Sequence, residues 1–500
     1  MIKNKILWLG TLSAIILGLF IFFRFYRLET VPVFVDEAIY IRWSQVMRTE
    51  PTLRFLPLSD GKQPLFMWST IPFLKIIQDP LIAGRTMSIL AGFGSLVGIG
   101  VLAFILFANP FIALFSSLLF AIIPFTIFFD RMALADGLLA MFGIWSLIFA
   151  VKFFKTLQTE YAIYLGFAIG GGLLTKSPAM IFYVWSLMVM LFVIDLKKIN
   201  KYQIGKILWG LFLSLLISQA MYAILRLGVG FQMIGARNQD YVYTVREVLT
   251  HPLSPLLGNL ITTINWLFLL FTPTVLILGA LGYLNSKTRR YYLLLIIISF
   301  IPLLSQGFIA KVYTSRYILY AVLPLIPLAS LGLHWLFVRK GALIKASIFI
   351  FLAVPVIIST VYIIRPGIAP MSYDMRSGYF SEWTAGVGQK EVADYLIGQE
   401  ARGNKIVVFT EGTFGTLPDG LQIYTEGHKN ITIVGSTPNI YELPSGLVNT
   451  DKDNLRYYVL NASRNHLPVS DMAKLELIAE YPKMIRQDGT QESLLFYRLK

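Results

Sequence analysis

A chain of 500 residues that is 56% hydrophobic and only 14% charged is excluded from the soluble globular class, whose solvated surface takes roughly 25% charged residues. Its net charge of +15 would suit nucleic acid if it formed one basic face, but the cations sit in short clusters between apolar runs, so topology accounts for them and no nucleic-acid partner is expected. The absence of cysteine excludes disulfides, thiolate ligands and thiol nucleophiles together.

Read in chain order at about twenty apolar residues per crossing, the spans fall at 6–24, 85–107, 111–129, 137–154, 160–175, 178–195, 206–226, 259–283, 291–309, 317–337 and 343–364. That is a polytopic α-helical membrane protein of about 11 transmembrane helices. The first run follows Lys3 and Lys5 and continues into Phe-Arg-Phe-Tyr-Arg without a small-residue cleavage site, so it reads as a retained span. With the amino terminus inside, the inner connectors receive Lys152 and Lys155, then Lys197, Lys198, Lys201 and Lys206, then Lys287, Arg289 and Arg290, then Arg339, Lys340 and Lys345. This is the positive-inside pattern, with Arg24, Arg27 and Arg226 as exceptions. The short segment 160–175, with Gly170, Gly171 and Gly172, permits either close helix contact or a break; if it does not cross, every later cluster changes side.

The expected division is 1–364 as the membrane domain, with an outer loop 25–84, and 365–500 as a soluble α/β domain on the outer side. Within the loop, 37–48 has the spacing of an amphipathic helix lying along the membrane interface. Pro64 to Ile77 reads as a second such helix, with proline in its first turn. Two further outward connectors carry charge, Asp130 to Asp136 and Gly228 to Pro255. In the tail a helix is expected at 389–399, strands at 405–409, 422–425, 431–434, 455–460 and 493–498, and a helix at 470–478 capped by Ser470. Gly-Thr-Phe-Gly-Thr at 412–416 follows the first strand but has neither dinucleotide nor Walker spacing.

The chemistry-bearing residues gather on the outward connectors. Asp36 and Glu37 are either helix-capping acids or, at the mouth of a membrane bundle, a general base and its neighbour, since a partly desolvated carboxylate gains proton affinity. Asp130, Arg131 and Asp136 read as an internal ion pair with a cap, or as lining of the same cavity. Lys62, Lys176, Lys311 and Arg316 are outward cations; snorkelling explains any one of them, while an anionic lipid headgroup explains their convergence through charge-assisted hydrogen bonds.

Taken together, Asp36-Glu37-Ala38-x-Tyr40, Lys62-x-Pro64-Leu65-x-x-Trp68, Arg85, Arg131-x-x-x-x-Asp136, Lys176-x-Pro178 and Arg316-Tyr317 resemble the GT-C membrane glycosyltransferases of the family 39 and 83 kind. These include protein O-mannosyltransferases and the aminoarabinose transferases that modify lipid A. The resemblance covers residues 1 to about 340. It implies inverting transfer of a sugar from a polyprenyl-phosphate donor to a protein, lipid or glycan acceptor at the outer membrane face, with the active site extracytoplasmic. It also implies roles: Asp36 as catalytic base, Glu37 and Asp136 as supporting acids, and Lys62, Arg131, Lys176, Arg316 and Tyr317 on the donor-phosphate side. In this chain the Lys-Pro-Pro-like motif reads Lys62-Gln63-Pro64, which departs from the aminoarabinose branch. A divalent metal is left open, with Asp36, Glu37 and Asp136 as the oxygen ligands available to one. Three alternatives stand beside this reading: aminoarabinose or pentose transfer to lipid A or a cell-wall glycan, a transporter, and a lipid-binding scaffold.

Overall fold

The computed structural model describes residues 2–195, 197–285, 288–451 and 453–500. Lys287 and the side chains of Lys3 and Lys5, used above for orientation, lie outside the described residues. The chain divides into two compact units, each described on its own: Met1–Leu28, Leu53–Phe66 and Met87–Ser372 in the first, Glu29–Thr52, Met67–Thr86 and Tyr373–Lys500 in the second. The second unit thus joins parts of the 25–84 loop to the tail.

The first unit is helical. Among the described residues, eight helices are long and apolar enough to cross a membrane: Leu7–Phe25, Pro80–Phe107, Ala135–Thr156, Lys201–Leu227, Leu253–Phe271, Arg289–Ile309, Ser315–Phe337 and Ala342–Ile364. A ninth arises if Pro110–Ile122 and Pro124–Asp130, bent by 61°, form one span. The bend falls where Pro124 has no N–H to continue the ladder and Ile123 is extended. The segments expected at 160–175 and 178–195 are helical but shorter, as Thr159–Thr175 and Ser177–Val193. The expected span 259–283 is broken at Thr272, with Pro273 opening a separate helix to Gly282.

The glycine triplet makes close contacts and no break. Its helix runs on to Thr175, and a Cβ at Gly170, Gly171 or Gly172 would run into Met221, the Phe142 ring or Phe182 respectively. One of the exceptional arginines also finds its explanation here. Arg24 is fully buried and bonds Asp130 Oδ2 at 2.9 Å and the Ala121 carbonyl at 3.0 Å, so its charge is neutralised inside the fold. Arg27 supplies a carbonyl, at 2.7 Å, to the guanidinium of Arg131.

In the second unit the tail forms a five-stranded sheet of order β2-β1-β3-β5-β4, with β1 Ile406–Thr410, β2 Ile431–Gly435, β3 Leu455–Asn461, β4 Leu475–Pro482 and β5 Ser493–Leu499. Strands β2, β1 and β3 are parallel; β5 runs antiparallel to β3 and to β4. The side chains alternate as strand geometry requires. Tyr457, Val459, Leu494 and Phe496 pack with the Gln389–Glu400 helix residues Val392 and Leu396 on one face. Tyr458, Leu460, Leu495 and Tyr497 face Ile440, Leu443 and Leu447 on the other.

Two expectations for the tail are corrected. Residues 422–425 do not form a strand: Asp419–Gln422 is a helical turn, and the alternating burial of Leu421, Ile423 and Thr425 comes from a turned backbone in which Thr425 Oγ1 donates to the Leu421 carbonyl. The helix expected over 470–478 is only Val469–Met472. From Leu475 the chain is strand β4, because β5 supplies a ladder that local propensity does not register.

The amphipathic segment does form a helix, Val35–Thr49, but it does not lie bare along an interface. Gln45 is buried and donates to the Ile423 carbonyl at 2.8 Å, while Arg48 pairs with Glu426 at 2.6 Å and donates to the Leu74 carbonyl at 2.8 Å. Its polar side is satisfied by protein within the second unit. The second loop helix is Leu65–Ile76.

Candidate active site

Asp136 stands in the first turn of the Ala135–Thr156 helix, where a carboxylate complements the exposed N–H groups of the helix end. Lys176 stands where Thr159–Thr175 stops and the turn Ser177–Met180 begins. The two meet, Lys176 Nζ to Asp136 Oδ1, at 2.6 Å. Asp136 is buried and the lysine about one-fifth exposed, so the pair has a dry end and a wet end.

The same ammonium lies 4.3 Å from the centre of the Tyr317 ring, and the Arg316 guanidinium 5.2 Å from it. Two cations therefore share one aromatic ring, each contributing a cation–π attraction on the order of 1 kcal/mol. The turn Ser315–Ile318 that carries Arg316 and Tyr317 is held by Gln306, whose Nε2 donates to the Tyr317 carbonyl at 3.2 Å and meets Tyr320 Oη at 2.7 Å.

Lys62 is tied into this set by its neighbour. Gln63 Nε2 donates to Ser177 Oγ at 2.8 Å, so Lys62-Gln63-Pro64 is fastened to Lys176-Ser177-Pro178. Lys62 itself pairs with Asp60 at 3.0 Å, and Asp60 also takes Arg237 at 2.8 Å. Gly61 makes this possible: its φ is +70°, and any Cβ would collide with the Met233 carbonyl and the Arg237 side chain. The structural roles of Gln63, Ser177 and Arg237 escape sequence reading. The one hint was the glutamine standing where the motif has proline.

Arg131 goes elsewhere. Its guanidinium donates to the carbonyls of Phe23, Arg24, Tyr26 and Arg27 at 2.7–3.0 Å. These carbonyls lie at and just beyond the end of the first helix, where no further helical turn supplies N–H donors, so the side chain closes that end.

Asp36 and Glu37 belong to the second unit. Glu37 is fully buried and grips Arg85 through both oxygens at 2.8 Å, while Oε2 accepts the Phe34 N–H at 3.0 Å. Arg85 also donates to the carbonyls of Val31 at 2.9 Å and Pro32 at 3.1 Å. This bidentate pair pins the backbone leading into the helix, which makes Glu37 a positioning group. Asp36, one residue before it in the same first turn, is half-buried. The entry strand is fixed as well: Val35 N donates to the Thr384 carbonyl at 3.0 Å and Gly386 N to the Val33 carbonyl at 2.8 Å.

A divalent metal fits these residues poorly. Glu37 is occupied by Arg85 and Asp136 by Lys176, and among the described residues no three acidic or histidine side chains gather closely enough to ligate an ion.

The sequence pattern of the dolichyl-phosphate-mannose-protein mannosyltransferase family matches residues 61–222, a stretch holding Lys62, Arg131, Asp136 and Lys176. No curated protein sequence matches the chain. Among solved structures, ArnT from Cupriavidus metallidurans is similar over 99% of this chain and 98% of its own in the apo state, with a TM-score of 0.54 at 14% identity. The same protein bound to undecaprenyl phosphate gives a TM-score of 0.55 at 14% identity, covering 98% of each chain. The archaeal oligosaccharyltransferase AglB from Archaeoglobus fulgidus, in complex with an inhibitory peptide and a dolichol-phosphate, gives 0.50 at 13% identity over 97% of this chain and 74% of its own. The likeness is one of fold, and the fold is GT-C.

Proposed function

We propose that this multi-pass membrane protein is an inverting glycosyltransferase that moves a sugar from a polyprenyl-phosphate donor to an acceptor at the outer face of the membrane. The observation that carries the reading is the cation cluster of the first unit: Lys176 between Asp136 and the Tyr317 ring, Arg316 on the same ring, and Lys62 fastened alongside through Gln63 and Ser177. Several preorganised cations at the ends of membrane helices suit a lipid phosphate, because they stabilise charge as it develops with little reorganisation. ArnT bound to undecaprenyl phosphate and AglB with a dolichol-phosphate are GT-C structures holding that class of lipid. The grouping of lysine and arginine on alternate connectors supports an outward site.

The reaction is a direct displacement. The acceptor hydroxyl oxygen attacks the anomeric carbon as Asp36 takes its proton. The bond from that carbon to the phosphate oxygen breaks, the electron pair leaves with the lipid phosphate, and Lys62, Lys176 and Arg316 neutralise it. Asp136 sets the position of Lys176, and Glu37 with Arg85 sets that of Asp36. A monophosphate leaving group can be held by cations alone, in keeping with the poor fit to a metal.

The test uses the full chain in nanodiscs with synthetic polyprenyl-phosphate hexoses, aminoarabinose and pentoses. Asp36→Asn is expected to lower transfer by about 10³-fold, the scale of a lost general base, while donor binding persists. Full activity in that variant, or no donor binding by the wild type, overturns the reading. The donor that turns over separates hexose transfer from aminoarabinose or pentose transfer to lipid A or a cell-wall glycan.

A further inference from the structure

In open sheets with parallel strands, ligands bind outside the carboxyl ends of the strands where the strand order reverses. In the tail that place is β1, with β2 on one side and β3 on the other. Three segments stand there: 411–416 after β1, 436–441 after β2 and 462–466 after β3. The last two are locked together, Ile440 N donating to the Arg464 carbonyl at 3.0 Å and His466 N to the Ile440 carbonyl at 2.8 Å.

This pairing sets up two stacks. The Tyr441 ring lies on His466, 5.0 Å between centres and 19° between planes. The Arg464 guanidinium lies 4.9 Å over the Trp383 ring and donates to Asn439 Oδ1 at 3.1 Å. Tyr441 is 66% exposed, Phe414 51% and Trp383 37%. Single exposed rings on a soluble domain need no explanation. Here they share one edge with planar hydrogen-bonding side chains, on loops fixed from below. Glu411 accepts the Asn461 N–H and Nδ2, at 2.8 and 2.6 Å, and Lys483 Nζ meets Asn461 Oδ1 at 2.5 Å.

The same edge adjoins the helix of Asp36. A Cβ at Gly415 would touch Val35 at 3.5 Å, and Ala385, two residues after Trp383, bridges Phe34, two residues before Asp36.

We infer that this edge is a saccharide-binding platform that holds a glycan or glycolipid-headgroup acceptor, through Tyr441, Trp383 and Phe414 as ring faces and Asn439, Arg464 and His466 as hydrogen-bonding partners. The inference rests on the glycosyl-transfer reading for the word acceptor. Aromatic faces receive the apolar C–H face of a sugar ring, while fixed planar amide, guanidinium and imidazole groups match its hydroxyls. A lipid surface suits the edge less well, because the Asn439–Arg464 bond and the Tyr441–His466 stack hold polar groups in place among the rings where an anchor wants aliphatic side chains. An extended peptide would add along an open strand edge, which in this sheet is β2 or β4, whereas these rings and polar groups stand beyond the strand ends.

The experiment is saturation-transfer NMR on the full chain in nanodiscs with mannotriose, cellotriose and maltotriose as probes, and a Ser/Thr-rich peptide for comparison. At least one trisaccharide is expected to give a signal that falls about five-fold or more in Tyr441→Ala and in Arg464→Gln, with hydrogen exchange of β1 and β3 unchanged. The signal is expected to persist in Asp36→Asn. No signal from any trisaccharide, signals in both variants equal to that of the wild type, or a response confined to the peptide overturns the inference. Because the readout needs no turnover, such a failure beside intact donor turnover removes the platform and leaves the transfer reading standing.

Discussion

Asp36 and Glu37 are adjacent acids with unlike fates. Nothing in their identity distinguishes them, and both read as candidate site groups. In the fold Glu37 is sealed around Arg85 with no exposure, while Asp36 keeps part of its surface in solvent. Arg85→Met would strand a buried carboxylate and should cost about 3–5 kcal/mol, read as a fall in the thermal midpoint in nanodiscs. Adding Glu37→Leu should restore much of that loss. Asp36→Asn should leave the midpoint nearly unmoved, since it is nearly isosteric and the carboxylate is partly exposed. An unchanged midpoint in Arg85→Met would remove the positioning role given to the pair. The Gln63–Ser177 bond belongs to this scale too: the glutamine looked like a defect in a motif, and its amide proves to fasten two motifs that lie 114 residues apart.

Helices and strands followed hydrophobic period where the period was long and failed where it was short. Every candidate span is helical, because a run of about twenty apolar residues in lipid has to satisfy its backbone internally. The runs at 422–425 and 470–478 were too short for period to decide, and packing against Leu421 and pairing with β5 decided instead. The glycine triplet was open between contact and break, and neighbours closed the question. Gly171→Val should therefore destabilise by about 1–3 kcal/mol through overpacking against Phe142. Faster hydrogen exchange along Thr159–Thr175 would show it, and exchange equal to wild type would mean that the helices are looser than this contact implies.

Across the whole molecule, the division of labour is between an apolar bundle and a sheet domain with a charged interior. Burial pushes the Lys483 ammonium down to about 8, with Glu492, Glu411 and Glu382 opposing the shift and Arg486 adding to it. Burial likewise raises Glu411 to about 7. A lysine lowered on folding contributes stability above its unfolded value near 10.5, and that contribution is lost as pH falls through about 8. The sheet should therefore become more stable between about pH 8 and pH 10, seen as slower hydrogen exchange in β3 and β5 of the intact chain. Lys483→Met should flatten that rise, and a rise of the same size in the variant would place its origin in other groups. For Glu411 the sign is opposite: a raised acid favours the fold most below 4.5 and loses that favour as pH climbs through about 7.

The sequence by itself determined the membrane class, the positions of the helical runs, most of the tail's strands and the residues worth suspecting. The first three follow from sums over neighbouring residues, whether hydropathy over twenty positions or alternation over six, and the last from motif resemblance. The tertiary structure alone decided which charges meet. Arg24 with Asp130, Glu37 with Arg85 and Lys176 with Asp136 are 106, 48 and 40 residues apart in the chain. Ion pairing depends on distance in space and on local dielectric, neither of which a window of sequence contains. That is why Arg131 reads as a ligand and folds as a clasp, and why the aromatic edge of the tail is visible only once β2, β1 and β3 lie side by side.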